Sequence, residues 1–245
     1  MPAQGSRGFA EKVAVVSDGG NIFGRAIAFQ LALQGCYVIV GFADLSAENE
    51  RALAELQKIG TLAGAVRADV ATIAGITELF GQVENMYGRL DLLVNSAQLE
   101  TTADFIATDA SLFANVIDRN LKSSFFCSQA AVKLMLNRPN AAIVNLTSEN
   151  HSNALLALTQ LGLIGLTKSL ALELAPKIRV NCVSFQTNEK PTAKRQNGVE
   201  EFEFLRSKSA VAPNDVAGTT VYLLSPEAAA ISGQVVSVGA KRARI

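Results

Sequence analysis

One feature constrains this chain more than any other. Short runs of β-branched and apolar residues alternate, from one end to the other, with longer segments of helical period. VAVVS (13–17), YVIVGF (37–42), GAVRADV (64–70), LDLLVNSA (90–97), AAIVNLTS (141–148), IRVNCVSF (178–185) and QVVSVG (234–239) read as strands. Between them, 24–34, 46–58, 72–87, 108–136, 154–175 and 214–224 read as helices. The strands are apolar almost throughout instead of at every second residue, which marks strands covered on both faces. Parallel strands need crossover connections, and right-handed crossovers place helices above and below the sheet. The pattern therefore predicts a single α/β domain, a doubly wound parallel sheet of about seven strands.

The 245 residues suffice for one large core. Residues 1–11 read as an N-terminal arm and 12–245 as the domain. Between 186 and 211 the chain turns polar after the carboxyl end of a strand, where ligands bind in such sheets, so this stretch reads either as a lid or as a solvated loop. The 22 basic and 22 acidic residues cancel, which leaves neither nucleic acid nor an anionic membrane as an expected partner. A mean hydropathy of +0.24 with balanced charge favours association between subunits. Cys36, Cys127 and Cys182 are odd in number, widely spaced and set among apolar residues, which fits reduced, buried thiols better than a disulfide frame or a metal site. The N-terminus lacks a signal-peptide core, and the longest apolar run is interrupted by Thr159 and Gln160, so the expected location is cytoplasmic.

From about Lys12 to Ala240 the chain resembles the short-chain dehydrogenase/reductase family. The matching blocks, in order, are SDGGNIFGRAIA (17–28), ADV (68–70), LLVNSA (92–97), NLKSSFF (120–126), IVNLTS (143–148), GLTKSLALELAPKIRVNCVS (165–184) and PNDVAGTTVYLLSPEAAAISGQVVSV (213–238). The resemblance implies a Rossmann-like fold and a nicotinamide dinucleotide on a glycine-rich first turn of pattern TGxxxGxG, whose glycines admit a pyrophosphate at a helix N-terminus. Here that pattern falls on Ser17, Asp18, Ile22 and Gly24, so only the last glycine is kept. Asp18 sets a carboxylate where phosphates would lie, and Ile22 adds a branched side chain to the turn; both oppose the ligand. Gly19 and Gly20 leave room for a rearranged loop.

Other positions depart as well. The family's second-strand acid falls at or near Phe42, with Asp44 two residues on, although Asp44 or Ser46 reads more simply as a helix cap. Asn-Asn-Ala-Gly becomes Asn95, Ser96, Ala97 and Gln98, and the Pro-Gly after the sixth strand becomes Phe185 and Gln186. Asp69, which by resemblance contacts adenine, is retained. The resemblance implies catalysis by Ser, Tyr and Lys with an Asn, the Tyr acting as general acid/base. Asn120 and Ser148 stand at their family positions, but Leu156 and Gln160 occupy those of Tyr and Lys.

These departures lead to the expectation that the isolated chain is not an enzyme and binds no cofactor or metal, with NAD held by a partner. The partner expected is a catalytically intact paralogue in a heterotetramer, joined through the apolar segments 123–136 and 155–172 and through ISGQVVSV. Gly162 and Gly165 would allow close approach there. The substrate class expected for the assembly is a 3-hydroxyacyl-CoA, such as 2-[hydroxy(phenyl)methyl]succinyl-CoA. Two alternatives stand beside this reading. One is a cofactor-independent enzyme using Ser148, His151 and Asn120, although the loop before Leu156 is short and Ser148 need not face the cleft. The other is a ligand sensor in the dinucleotide pocket, built on Gly24 and Asp69. The KRAR tail (241–244) reads as a solvated end or as a contact to a neighbour's anionic ligand.

Overall fold

The computed structural model describes residues 8–44, 46–58, 63–149, 153–185 and 211–239. Seven strands, β1 (Val13–Val16), β2 (Tyr37–Phe42), β3 (Gly64–Arg67), β4 (Leu92–Asn95), β5 (Ala141–Ser148), β6 (Ile178–Phe185) and β7 (Val235–Val238), make one sheet. All pair in parallel, in the order β3-β2-β1-β4-β5-β6-β7. Such strands cannot be joined by tight turns, so the helices α1 (Ile22–Leu33), α2 (Ala47–Lys58), α3 (Ile73–Tyr87), α4 (Ala110–Ile117), α5 (Ser123–Met135), α6 (Ala154–Glu173) and α7 (Pro213–Leu224) carry the crossovers. The expected fold class is what forms.

Two apolar layers sandwich the sheet. Val16, Val38, Val40 and Phe42 pack with Ile27 and Leu31 of α1 and Leu223 and Leu224 of α7. On the other face, Val15, Ile39, Leu93 and Ile143 pack with Leu79 and Val83 of α3 and Cys127, Ala131 and Met135 of α5. Local chemistry sets the helix ends. Asn21, Thr72, Asp109 and Asn153 cap α1, α3, α4 and α6 with side-chain oxygens that accept from Gly24, Gly75, Leu112 and Leu156 backbone N–H groups. Gly88 ends α3 at φ 62°, where a side chain would strain the backbone. Phe9 is buried, and its carbonyl accepts from the Cys36 thiol at 3.6 Å, so the chain ahead of β1 is packed down at that residue.

The structure departs from the sequence reading in three places. The single helix expected over 108–136 is broken by a π turn at Asp118–Lys122, in which the Ser123 N–H reaches back to the Asp118 carbonyl. β3 and β4 stop earlier than expected, because Asp69 closes a turn onto the Ala71 and Thr72 amides and Ser96 is drawn toward β1. Finally, α6 is one unbroken helix of 20 residues with mean hydropathy 1.6, long and apolar enough to cross a membrane, contrary to the length argued from Thr159 and Gln160. Leu155, Leu156, Thr159, Gln160, Leu163, Thr167 and Ala171 on that helix are buried, however, so one face of it packs onto its own domain.

Candidate functional site

Doubly wound sheets bind ligands where the winding reverses, here at the carboxyl ends of β1 and β4. In this chain that point is laced shut by its own polar groups. The Ser96 backbone N–H donates to Ser17 Oγ at 3.0 Å, the Asp18 N–H donates to Ser96 Oγ at 3.0 Å, and that hydroxyl donates to the Asp18 carbonyl at 2.9 Å. Asn21 adds Nδ2 contacts to the Ser96 and Asp18 carbonyls at 2.9 and 3.2 Å. Ser96, which stands where the family has Asn, thus stitches β4 to the first turn.

Three backbone donors of that turn are already used. Gly19 N–H donates to the Gly41 carbonyl at 2.8 Å, Gly20 N–H to Asp18 Oδ1 at 2.8 Å and Gly24 N–H to Asn21 Oδ1 at 2.8 Å. A pyrophosphate needs such N–H groups pointing outward. The residues present therefore do not fit one in this arrangement. Close packing explains the glycines that remain: a Cβ on Gly19 would lie 2.2 Å from Val40 Cγ1, and one on Gly24 would lie 2.0 Å from the Asp18 carbonyl oxygen. Phe42, at the family's acid position, is buried beneath Gly19. Ile22 opens α1, and its neighbour Phe23 stacks on Phe185 with ring centroids 4.2 Å apart. An aromatic pair thus joins the first turn to the end of β6, where the family has Pro-Gly.

Two arginines complete this half of the cleft. Arg25 donates Nε to the Gly19 carbonyl at 3.0 Å and a terminal nitrogen to Gly20 at 2.8 Å, and it reaches Asn49, which binds Asp44. Asp44 accepts from the Ser46 N–H, and Ser46 accepts from the Asn49 N–H, which are the capping roles expected for them. Arg119, presented by the π turn, lies 2.9 Å from Asp69 and 3.9 Å from Asp18. Burial pushes the Asp18 carboxyl above its ordinary pKa, opposed by the Gly20 N–H and by the Arg119 charge.

The positions that resemblance ties to chemistry do converge. Asn120, Ser148 and Leu156 line one small cavity with Gln98, Leu146, Thr147, Thr159 and Leu163, of about 10 Å³, room for one water-sized group. The doubt about Ser148 is thereby corrected: the short loop still leaves it facing the cleft. Asn120 is committed to the backbone of Leu99, accepting its N–H at 2.6 Å and donating to its carbonyl at 3.1 Å. Leu156 belongs to an apolar cluster with Val116 and Leu155, against which Leu99, Leu112 and Ile117 pack. Gln160 is 4% exposed, and its Oε1 has no partner among the described residues; the same holds for Gln98 Nε2. Asn95 serves the framework, donating to Asn145 Oδ1 at 2.7 Å and Ser128 Oγ at 3.0 Å, while Asn145 donates to Thr167 Oγ1. His151, Gln186 and the KRAR tail lie outside the described residues, as does all of the expected lid except Val211, which is buried.

Sequence reasoning missed Arg119, Arg25 and Phe23. The signal for Arg119 was Asp18 itself: a carboxylate in a partly desolvated turn calls for a counter-charge. Arg119 adjoins Asn120, which resemblance already set in the cleft. All three cysteines are free and buried, and burial pushes each thiol up to about 12.

The profile of the family described as enoyl-(acyl carrier protein) reductase matches residues 21–240. A 3-oxoacyl-[acyl-carrier-protein] reductase of Staphylococcus epidermidis is 33% identical over 239 residues, covering 93% of this chain and 97% of the relative. The enzyme of the same description from Synechocystis is 32% identical over 234 residues, covering 93% and 95%. A short-chain dehydrogenase/reductase structure from Serratia marcescens superposes with a TM-score of 0.80 at 28% identity, covering 94% of this chain and 97% of that one. Acetoin dehydrogenase of Salmonella typhimurium, at 23% identity and TM-score 0.80, shares the fold.

These relatives overturn the expectation that the chain is not an enzyme, because they are named as reductases and match it nearly end to end. That expectation rested on Leu156 and Gln160 at the tyrosine and lysine positions and on Asp18 and Ile22 in the first turn, while Asn120 and Ser148, which it recognised as retained, line one cavity. With the strand order, the profile match and the reductase relatives in agreement, the chain belongs to the short-chain dehydrogenase/reductase family of oxidoreductases.

Proposed function

We propose that this chain serves carbonyl–alcohol oxidoreduction on a 3-oxoacyl or 3-hydroxyacyl thioester as one subunit of a mixed tetramer. Its partner is a paralogous short-chain dehydrogenase that holds NAD. The reductase relatives support the reaction class and the thioester, since they are named for a 3-oxoacyl group on acyl carrier protein. An acyl-CoA such as 2-[hydroxy(phenyl)methyl]succinyl-CoA has the same 3-hydroxyacyl chemistry. The assembled oxidoreductase, this chain included, is the unit of activity.

The observation that carries the assembly is the outer face of α5 and α6. Phe125 on α5, Leu136 at its end, and Leu158, Leu161 and Leu172 on α6 stand exposed, Leu161 to 65% and Leu172 to 82%. A helix whose inner side is already buried gains nothing from apolar residues on its outer side unless another surface covers them.

The test is co-expression with the paralogue, followed by mass measurement and assay of NADH oxidation with acetoacetyl-CoA. A mixed tetramer that turns over is expected, and Leu161→Glu on this chain should dissociate it. Failure to form a mixed species, or a monomer that reduces the thioester at the rate of the mixture, would defeat the reading.

A further inference from the structure

We infer that Asp18 is a built-in anion: its carboxylate takes the Gly20 amide and the Arg119 charge that a dinucleotide phosphate would otherwise engage, and any dinucleotide entering this chain has to displace it. The inference rests on the cleft assigned above and goes beyond it, because it names an intramolecular competitor and the strap that holds it.

Three independent sets of contacts converge on this point. First, three of the turn's donors are satisfied from within: Gly20 by Asp18, Gly24 by Asn21 and Gly19 by Gly41. Second, Arg119 lies across the groove with one guanidinium nitrogen 2.9 Å from Asp69 and another 3.9 Å from Asp18. It thereby links the end of β1 to the turn after β3, the two walls between which an adenosine half would lie. Third, the Asp18 side chain is only 14% exposed and Arg119 only 22%. Charges this sheltered interact more strongly than surface pairs, and neither is easily hydrated once parted.

The geometry also orders the energetics. An incoming phosphate would meet Asp18 as a like charge at short range before it could reach Gly20. To recruit Arg119 fully it would also have to break the 2.9 Å Arg119–Asp69 pair, the stronger class of hydrogen bond. Removing Asp18 therefore does two things at once: it deletes the repulsion and it frees a backbone donor, while Arg119 stays on Asp69. Removing Arg119 alone takes away the cation and leaves two carboxylates uncompensated beside the phosphate. The two substitutions should accordingly differ in sign.

NADH binding to the purified full chain is measured by fluorescence titration, with melting curves confirming that each variant is folded. Weak binding is expected for the unaltered chain. Asp18→Gly should tighten it about tenfold or more, the order of magnitude for one like charge removed at close range. Arg119→Val should weaken it, and the double variant should fall between the two single variants. Asp18→Asn keeps an acceptor for the Gly20 N–H while losing the charge, so it provides the same reading if the glycine variant does not fold. An unchanged affinity in both Asp18 variants overturns the inference, and so does tighter binding by Arg119→Val, which would show that a phosphate does not engage that arginine. Because the titration uses the isolated chain, its failure is distinct from failure to assemble with a paralogue.

Discussion

Asp18 stands under opposing influences at the level of a single residue. Burial penalises its charge, while the Gly20 amide, Arg119, Asn21 and Arg25 favour it, and the net effect raises its pKa. A carboxyl with a raised folded-state pKa binds its proton more tightly in the folded than in the unfolded chain, so stability falls as pH rises from the ordinary Asp range through the folded-state value. The expected outcome is that Asp18→Asn unfolds at higher urea concentration than the unaltered chain at pH 7, with the difference vanishing as pH drops below the ordinary Asp range. Equilibrium unfolding at several pH values checks it. The substitutions at 18, 22, 156 and 160 were legible from residue identity alone, since each lies at a fixed spacing from a recognisable block. What residue identity could not show is where Asp18 finds its counter-charge. Arg119 is far away in sequence, and its direction depends on a local change of helical pitch.

Helix α6 shows how much an element reveals at its own scale. Its start was readable from the apolar run, and in the structure Asn153 caps it, the side-chain oxygen accepting from the Leu156 N–H at 3.0 Å. Its glycines were read as equivalent, and the structure separates them. A Cβ on Gly162 would come within 3.0 Å of Leu121 Cδ2, so this glycine lets α6 settle against the π turn, whereas a Cβ on Gly165 would have nothing within 4 Å. Gly165→Ala should therefore stabilise the isolated chain by about 0.5–1 kcal/mol through helix propensity and a less flexible unfolded state. Gly162→Ala should gain less, since its methyl has to move Leu121. Paired urea titrations distinguish the two. The π turn itself lay beyond the sequence pattern, because apolar periodicity on either side of it reads the same whether four or five residues close the intervening ring.

Across the whole molecule, the cysteines sample both layers of the sandwich: Cys36 belongs to the layer of α1 and α7, and Cys127 to that of α3 and α5. With thiols pushed up to about 12 and no accessible surface, they should resist iodoacetamide at pH 8 in the native protein and react together once the chain opens globally. Mass spectrometry along a urea series would follow this, and early modification of one site would show that the layers open separately. At this scale the sequence was most informative, because continuous apolar strands alternating with helices admit few arrangements. It was least informative about the cleft, where residues distant in sequence meet across strand ends.

The π turn also limits how the gene can vary. One surplus residue in that ring lets Val116 before it and Cys127 after it both face inward. Excising a single codon there would rotate everything downstream by about 100°, exchanging buried side chains for exposed ones along the whole of α5. A frame-preserving deletion in an otherwise ordinary helix would thus undo the sheet's cover and Arg119's reach together.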